Sequence, residues 1–302
     1  MVKVESLTRR FGSREAVRGL SFEVAEGQIF GVLGPNGSGK STLFRILATM
    51  LAPTEGRVHV AGFDVSREPD EVRACIGVVF QSFSLDRKLT VEENLTAQGH
   101  LYGLSGAELS RRMTAAMTRL GLGDRRRDLV GKLSGGLQRR VEIAKSLLHR
   151  PRVLLMDEPS TGLDPGARRE LWQYIEELRS EGVTVLVTTH ILDEADRCDR
   201  LLLMHEGARV AEGTPAELKA RVGGDVVVLE TAEPEQLGRQ LRERFGIEGI
   251  LAGGTLRVEI GNGHRFVAEA IEAFPGAIES IALHKPTLED VFLDLTGARI
   301  EG

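Results

Sequence analysis

The sequence predicts a two-part α/β chain. A large domain over residues 1–222 alternates a mixed sheet with helices, and a small α+β domain of ferredoxin-like order fills 223–302. Three observations lead there. A strand of buried type, Gln28 to Leu33, runs through a glycine-rich turn into a helix expected from Ser41 to Leu51, the strand–loop–helix unit of parallel α/β folds. Apolar strands of the same kind return at Ile76–Phe80, at Val153–Met156 and at Val183–Thr188. After Gly223-Gly224 the pattern resets to strand, helix, strand, strand, helix, strand, which is the ferredoxin-like order.

A chain of 302 residues has room for one large and one small domain. Hydrophobic content of 41% and charged content of 27% are those of an ordinary globular protein. The formal net charge of −5 argues against a nucleic-acid partner. No apolar run approaches the ~20 residues that cross a bilayer. The N-terminus opens into alternation (Val2, Val4, Ser6) without a basic and then apolar leader, so no secretory signal is expected. Cys75 and Cys198 lack metal-type spacing and read as small, reduced residues of a cytosolic protein.

Along the chain, Lys3–Ser6 and Leu20–Val24 read as short antiparallel strands, with Phe11 exposed beside the Gly12-Ser13 turn. Pro53-Thr54-Glu55-Gly56 is a turn before a strand at Arg57–Ala61. Residues 90–149 become almost wholly helical. Thr90-Val91-Glu92-Glu93 and Ser105-Gly106-Ala107-Glu108 both read as capping boxes, in which hydroxyl and carboxylate satisfy orphan N–H groups. Asp124–Asp128 is a compact charge cluster read as a solvated loop, and Lys132–Gln138 opens a helix to about His149. Asp164-Pro165 places an N-cap before a proline at the first helical position. Leu201–His205 and Arg209–Glu212 form a hairpin around Glu206-Gly207, Thr214-Pro215-Ala216-Glu217 caps a closing helix, and Thr287–Leu295 is the last helix.

The chemistry starts at Gly34-Pro35-Asn36-Gly37-Ser38-Gly39-Lys40-Ser41-Thr42, which fits the phosphate-binding pattern G-x-x-x-x-G-K-[ST]. The glycines let successive N–H groups face an anion at a helix N-terminus. Lys40 adds a charge for the β- and γ-phosphates, and the Ser41 hydroxyl is a natural Mg²⁺ ligand. The site therefore takes a nucleoside triphosphate. Four apolar residues then lead into Asp157, placed to hold Mg²⁺ through water, and Glu158, placed to polarise the attacking water. Ser134, Gly135 and Gly136 open a second helix with the same exposed N–H groups, which taken alone reads equally as a second anion site or as a plain glycine helix cap.

Together these residues resemble the ATP-binding cassette family, over residues 1 to about 222 and in the family's motif order. The resemblance implies an α/β phosphate-loop NTPase cassette with a mixed RecA-like core sheet, an antiparallel β subdomain and a helical subdomain at about 90–149. It implies that Phe11 stacks on adenine, that Gln81 is the Q-loop glutamine touching Mg²⁺, and that Leu133–Gln138, including Ser134, Gly135, Gly136 and Gln138, is the signature motif. It further implies that Ser160-Thr161-Gly162-Leu163-Asp164 is the D-loop and His190 the switch histidine at the γ-phosphate. The expected cofactors are ATP and Mg²⁺. The expected assembly is a head-to-tail pair holding two ATPs, working on a separate integral-membrane permease from the cytoplasmic face. The tail Pro286–Gly297 and the stretch Leu85–Leu95 resemble the daunorubicin-resistance type of exporter, with a drug, antibiotic or lipid-like cargo; the small domain is left to regulate, dimerise or steady the cassette.

Overall fold

A computed structural model describes residues 1–252, 254–298 and 300; Gly253, Arg299, Glu301 and Gly302, four residues of the segment expected as the small domain, lie outside the described residues. In chain order the first part holds β1 (Val2–Phe11), β2 (Arg14–Val24), β3 (Ile29–Leu33), α1 (Lys40–Leu47), β4 (Glu55–Val60), β5 (Phe63–Asp64), α2 (Pro69–Cys75) and β6 (Ile76–Val79). The helical stretch holds α3 (Val91–Leu101), α4 (Gly106–Arg119) and α5 (Gly135–Leu147). The alternation resumes with β7 (Val153–Asp157), α6 (Pro165–Ser180), β8 (Thr184–Thr189), α7 (Leu192–Ala195), β9 (Arg200–His205), β10 (Ala208–Gly213) and α8 (Pro215–Lys219). The remainder holds β11 (Asp225–Glu230), α9 (Pro234–Phe245), β12 (Gly249–Ala252), β13 (Thr255–Ile260), α10 (Gly263–Ala273), β14 (Ser280–His284) and α11 (Leu288–Thr296).

The strands pair into three sheets: antiparallel β2-β1-β4-β5, the central β10-β9-β3-β8-β7-β6, and β12-β13-β11-β14. In the central sheet β9, β3, β8, β7 and β6 run parallel, and only β10 is antiparallel, to β9. Its parallel strands are largely apolar and buried because both faces are covered. The two-residue period shows which face is which. Ile29, Leu33, Leu154, Met156, Val185 and Val187 join the core under the helical region. Phe30, Val32, Val153, Leu155 and Leu186 join the core shared with α1 and the antiparallel sheet. At about 1.5–3 kcal/mol per buried large side chain, this two-sided burial is what fixes the loops at the C-terminal strand ends.

Several elements differ from expectation, each for a local reason. β1 and β2 are longer than the sequence suggests, one hairpin turning at Gly12-Ser13. Helix α1 ends at Leu47 rather than Leu51. Thr49 takes φ +60°, its N–H bonds the Ile46 carbonyl (3.0 Å) and the Met50 N–H bonds Arg45 (2.8 Å), a Schellman closure. Glu55-Gly56 belongs to β4 instead of the preceding turn, and α2 and β5 were not expected. The Thr90 capping box forms as expected, but the Ser105 one does not. There Arg111 and Arg112 take the Glu108 carboxylate, holding its pKa near 2. The expected charged loop Asp124–Asp128 begins in one tight turn, Gly123–Arg125, and is tied to α3 by Arg126 on Glu92 and, just beyond it, by the Thr90–Leu129 bridge.

The last sheet is antiparallel throughout, in the order β12-β13-β11-β14, with α9 and α10 packed on it around Phe266, Leu237 and Leu241. Helix α11 then turns back. Leu288, Val291 and Phe292 are buried in the large core, and the Phe292 ring meets His205 edge-on at 5.6 Å. No helix among the described residues is long and apolar enough to cross a membrane. Cys75 and Cys198 are both free, and burial pushes the Cys198 thiol far up.

Candidate active site

The loop from β3 into α1 closes around its own lysine. Lys40 is 3% exposed, and its Nζ donates to the carbonyls of Gly34 (2.7 Å) and Pro35 (3.0 Å). Gly39, the N-cap of α1, sits at φ +101°, and a Cβ there would lie 2.3 Å from the Ala16 carbonyl oxygen, so only glycine fits. The first turn of α1 carries no acid, which keeps its positive end open to an anion. Ser38 is buried, and its Oγ has no hydrogen-bond partner among the described residues, a donor left over for a ligand oxygen. Beside the loop lies a cleft of about 350 Å³ lined by Phe11, Arg14, Ala16, Asn36, Gly37, Gly39, Lys40, Ser41, Thr42, Gln81 and Glu158. Phe11 is 48% exposed there, with the Arg9 guanidinium 4.7 Å from its ring centre.

The two acids stand at the end of β7, and β8 beside it sets their geometry. Thr188 Oγ1 donates to Asp157 Oδ1 (2.5 Å), while the Glu158 N–H bonds both the Thr188 carbonyl (3.1 Å) and its Oγ1 (3.0 Å). Glu158 itself takes φ +45°, an unusual conformation for a side chain of that size and one that clusters at functional sites. Its carboxylate is where the site converges. Gln81 Nε2 donates to Oε2 at 3.2 Å, Thr161 Oγ1 donates to the same oxygen at 3.4 Å, and Lys40 Nζ lies 3.4 Å from Oε1. His190 Nδ1 stands 3.3 Å from Oε2 without hydrogen-bond geometry.

Burial dominates the electrostatics. It lowers the Lys40 pKa, opposed by Glu158 and Asp157, and raises that of Asp157, opposed by hydrogen bonds from Thr188 and Ser41. An anion beside Lys40 and a cation beside Asp157 would relieve both. Ser41 Oγ and Asp157 Oδ1 are 3.4 Å apart, a pair of hard oxygen donors. Among the described residues no group of three or more His, Cys, Asp or Glu converges to hold a metal. That donor set fits Mg²⁺, which takes one or two protein oxygens and fills its octahedron with phosphate and water, and does not fit a resident all-protein metal.

The second helix start is elsewhere. Ser134 caps α5, accepting from the Leu137 N–H (3.4 Å); Ser134 and Gly135 are exposed, and Gln138 Nε2 is turned back to the Leu133 carbonyl (2.8 Å). A Cβ on Gly136 would lie 3.0 Å from that of Ala167, so glycine lets α5 approach α6. Asp164 caps α6 through the N–H groups of Gly166 and Ala167 (2.9 Å each), which hold its carboxyl below the usual range. None of Ser134, Gly135, Gly136, Gln138 or Asp164 lines the Lys40 cleft.

The profile of the ABC transporter family matches residues 17–161. The daunorubicin resistance ATP-binding protein DrrA3 of Streptomyces coeruleorubidus is 39% identical over 98% of this chain and 96% of its own length. The Nod factor export ATP-binding protein I of Paraburkholderia xenovorans (strain LB400) is 38% identical over 99% of this chain and 98% of its own. A dimeric structure of the cassette MJ0796, in a post-hydrolysis state bound to ADP and Pi, superposes with a TM-score of 0.64 at 30% identity, covering 71% of this chain and 98% of that one. The chain belongs to the ABC transporter family. It is an ATP-binding subunit of that family, and the expected similarity to the daunorubicin-resistance branch is borne out along nearly the whole chain.

Within this ABC cassette the structure brings Lys40, Ser41, Gln81, Asp157, Glu158 and His190 together and leaves Ser134, Gly135, Gly136 and Gln138 outside that cleft. Sequence reasoning missed Thr188, which grips both acids, and Arg139, whose guanidinium bonds the carbonyls of Phe80 and Gln81. It also missed Arg14 and Ala16 on the cleft wall. Thr188 is one of three threonines in β8, and Arg139 one of several basic residues in the helix expected to run to about His149, so neither stood out from its neighbours.

Proposed function

We propose that this chain binds Mg²⁺-ATP in the Lys40 cleft and hydrolyses it as the engine of an exporter. The carrying observation is the convergence of Lys40, Gln81 and His190 on the Glu158 carboxylate at 3.2–3.4 Å, beside a glycine-built anion cradle. In this reading the backbone of residues 34–42 cradles the phosphates, and Phe11 stacks on adenine. Ser41 and Asp157, with Gln81, hold Mg²⁺, which when bound neutralises charge on the phosphoryl oxygens. Glu158 takes the proton of a water as its oxygen bonds the γ-phosphorus and the bond to ADP breaks. Lys40 and His190 stabilise the charge that builds on the transferred phosphoryl.

Ser134, Gly135, Gly136 and Gln138 serve the nucleotide of a second copy, with Asp164 at the seam. Their separation from the Lys40 cleft supports this, as does the dimeric state of the similar MJ0796 cassette. The pair drives a separate permease from the cytoplasmic face of a membrane. The similarity to a drug-resistance and a Nod factor export protein supports outward transport of a drug, antibiotic or lipid-like compound. Residues 223–302 form an accessory domain with a ferredoxin-like sheet; the β-α-β-β-α-β order and the strand order β12-β13-β11-β14 support that label.

The test is Glu158→Gln. The variant should keep ATP affinity, lose turnover by about 10²–10⁴-fold, and elute as a dimer with Mg²⁺-ATP and as a monomer without. Wild-type hydrolysis would remove Glu158 as the base, and a strictly monomeric ATP-loaded variant would remove the shared site.

A further inference from the structure

Gln81 reaches Glu158 from residues 80–84, a segment with no regular structure between β6 and α3. What holds that segment is α5. Arg139 Nη1 donates to the Phe80 carbonyl (2.6 Å) and Nη2 to that of Gln81 (2.9 Å). One turn on, the fully buried Glu142 accepts from the Ser84 N–H (2.6 Å) and hydroxyl (3.1 Å). A further turn on, Lys145 Nζ donates to the Ser84 carbonyl (3.0 Å). Positions i, i+3 and i+6 make one stripe on a helix, so both ends of the segment are tied to the helix that Ser134 caps.

Arginine is an expensive choice at 139. Its side chain is 1% exposed, its two acceptors are neutral carbonyls, and its Nε is buried with no hydrogen-bond partner among the described residues. Glu142 and the Phe83 ring, 4.8 Å from the guanidinium carbon, offset only part of the cost of burying that charge, and a leucine or methionine would fill the same space without it. What only guanidinium supplies is a planar fork that locks two successive carbonyls at once. We infer that Arg139 is a positioning residue for hydrolysis: it sets the Gln81 backbone so that the side-chain amide meets Glu158. It also makes α5 and the Gln81 segment one body, so a displacement at the Ser134 end of α5 moves Gln81. This inference rests on the roles proposed above for Gln81 and Glu158.

The test is a double-mutant cycle on the full chain, measuring kcat for ATP and the dissociation constant of a fluorescent ATP analogue. Arg139→Leu should lower kcat about tenfold or more while nucleotide affinity stays within about twofold, and adding Gln81→Ala should make it no slower than Gln81→Ala alone. Arg139→Lys should recover only part of the loss, because it keeps the charge and loses the fork. A wild-type kcat in Arg139→Leu, or losses that multiply in the double variant, would overturn the inference. Full activity of Gln81→Ala would instead overturn the reading of the site itself. If Arg139→Leu does not fold, Lys145→Ala enters the same cycle, with a loss of about threefold expected and the same non-additivity deciding.

Discussion

Asp157 is 7% exposed, and burial holds its carboxyl above the usual range against the hydrogen bonds of Thr188 and Ser41. The folded chain therefore binds that proton more tightly than the unfolded one. Its ionisation costs stability above the raised pKa, and the cost disappears as pH falls through it. Two outcomes follow at this scale. Asp157→Asn should raise the melting temperature of the nucleotide-free protein at pH 7.5 by about 2–4 °C, checked by calorimetry. On the metal role proposed for Asp157, the same change should abolish the wild-type weakening of Mg²⁺-ATP binding as pH drops toward that pKa, since a metal ligand must be ionised. The motif residues were legible because their chemistry demands particular types at particular spacings. The hydroxyl of Thr188 was not, because only the β7–β8 register places it against Asp157.

Among the elements, the junction of α3 and α5 with β6 carries a buried imidazole. His149 stacks on Tyr102 with centroids 3.8 Å apart and donates from Nε2 to the Ile76 carbonyl (2.7 Å), leaving Nδ1 buried without a hydrogen-bond partner among the described residues. Burial lowers its pKa, so the neutral ring is the folded form. As pH falls through about 6.5 the unfolded chain takes up the proton first, and stability declines toward the lowered folded value. His149→Phe keeps the stack and should flatten the urea-unfolding stability between pH 7 and 5; an unchanged slope would assign the acid sensitivity elsewhere. Element identity was legible from apolar runs and caps at Thr90, Asp164, Thr214 and Thr287, all of which form. The Ser105 cap failed because two arginines compete for Glu108, a contest that spacing alone does not reveal.

For the whole molecule the third sheet has its own core, yet α11 returns to bury Leu288, Val291 and Phe292 in the large one. A chain ending at residue 223 should still unfold cooperatively and bind ATP, but melt below the full chain. Phe292→Ala alone should cost about 3–5 kcal/mol, the usual figure for emptying a phenylalanine site, measured by denaturant titration. An insoluble truncation would place the domain boundary elsewhere. The same contact sets Phe292 against His205, two residues before Gly207, whose N–H bonds the Ser38 carbonyl (3.0 Å) of the phosphate loop.

By itself the amino-acid order determined the glycine-rich loop before α1, the paired acids, the capped start of α5 and nearly every element after Gly224, because each is written in neighbouring residues: glycine spacing, apolar runs, caps. Only the tertiary structure decided which side chains meet Glu158, what holds Gln81 in reach of it, and that the last helix belongs to the large core. Those contacts join residues about 60 to 120 positions apart or more (Arg139 with Gln81, Ser41 with Asp157, Phe292 with His205). Sheet order and helix packing bring them together, and no local pattern encodes them.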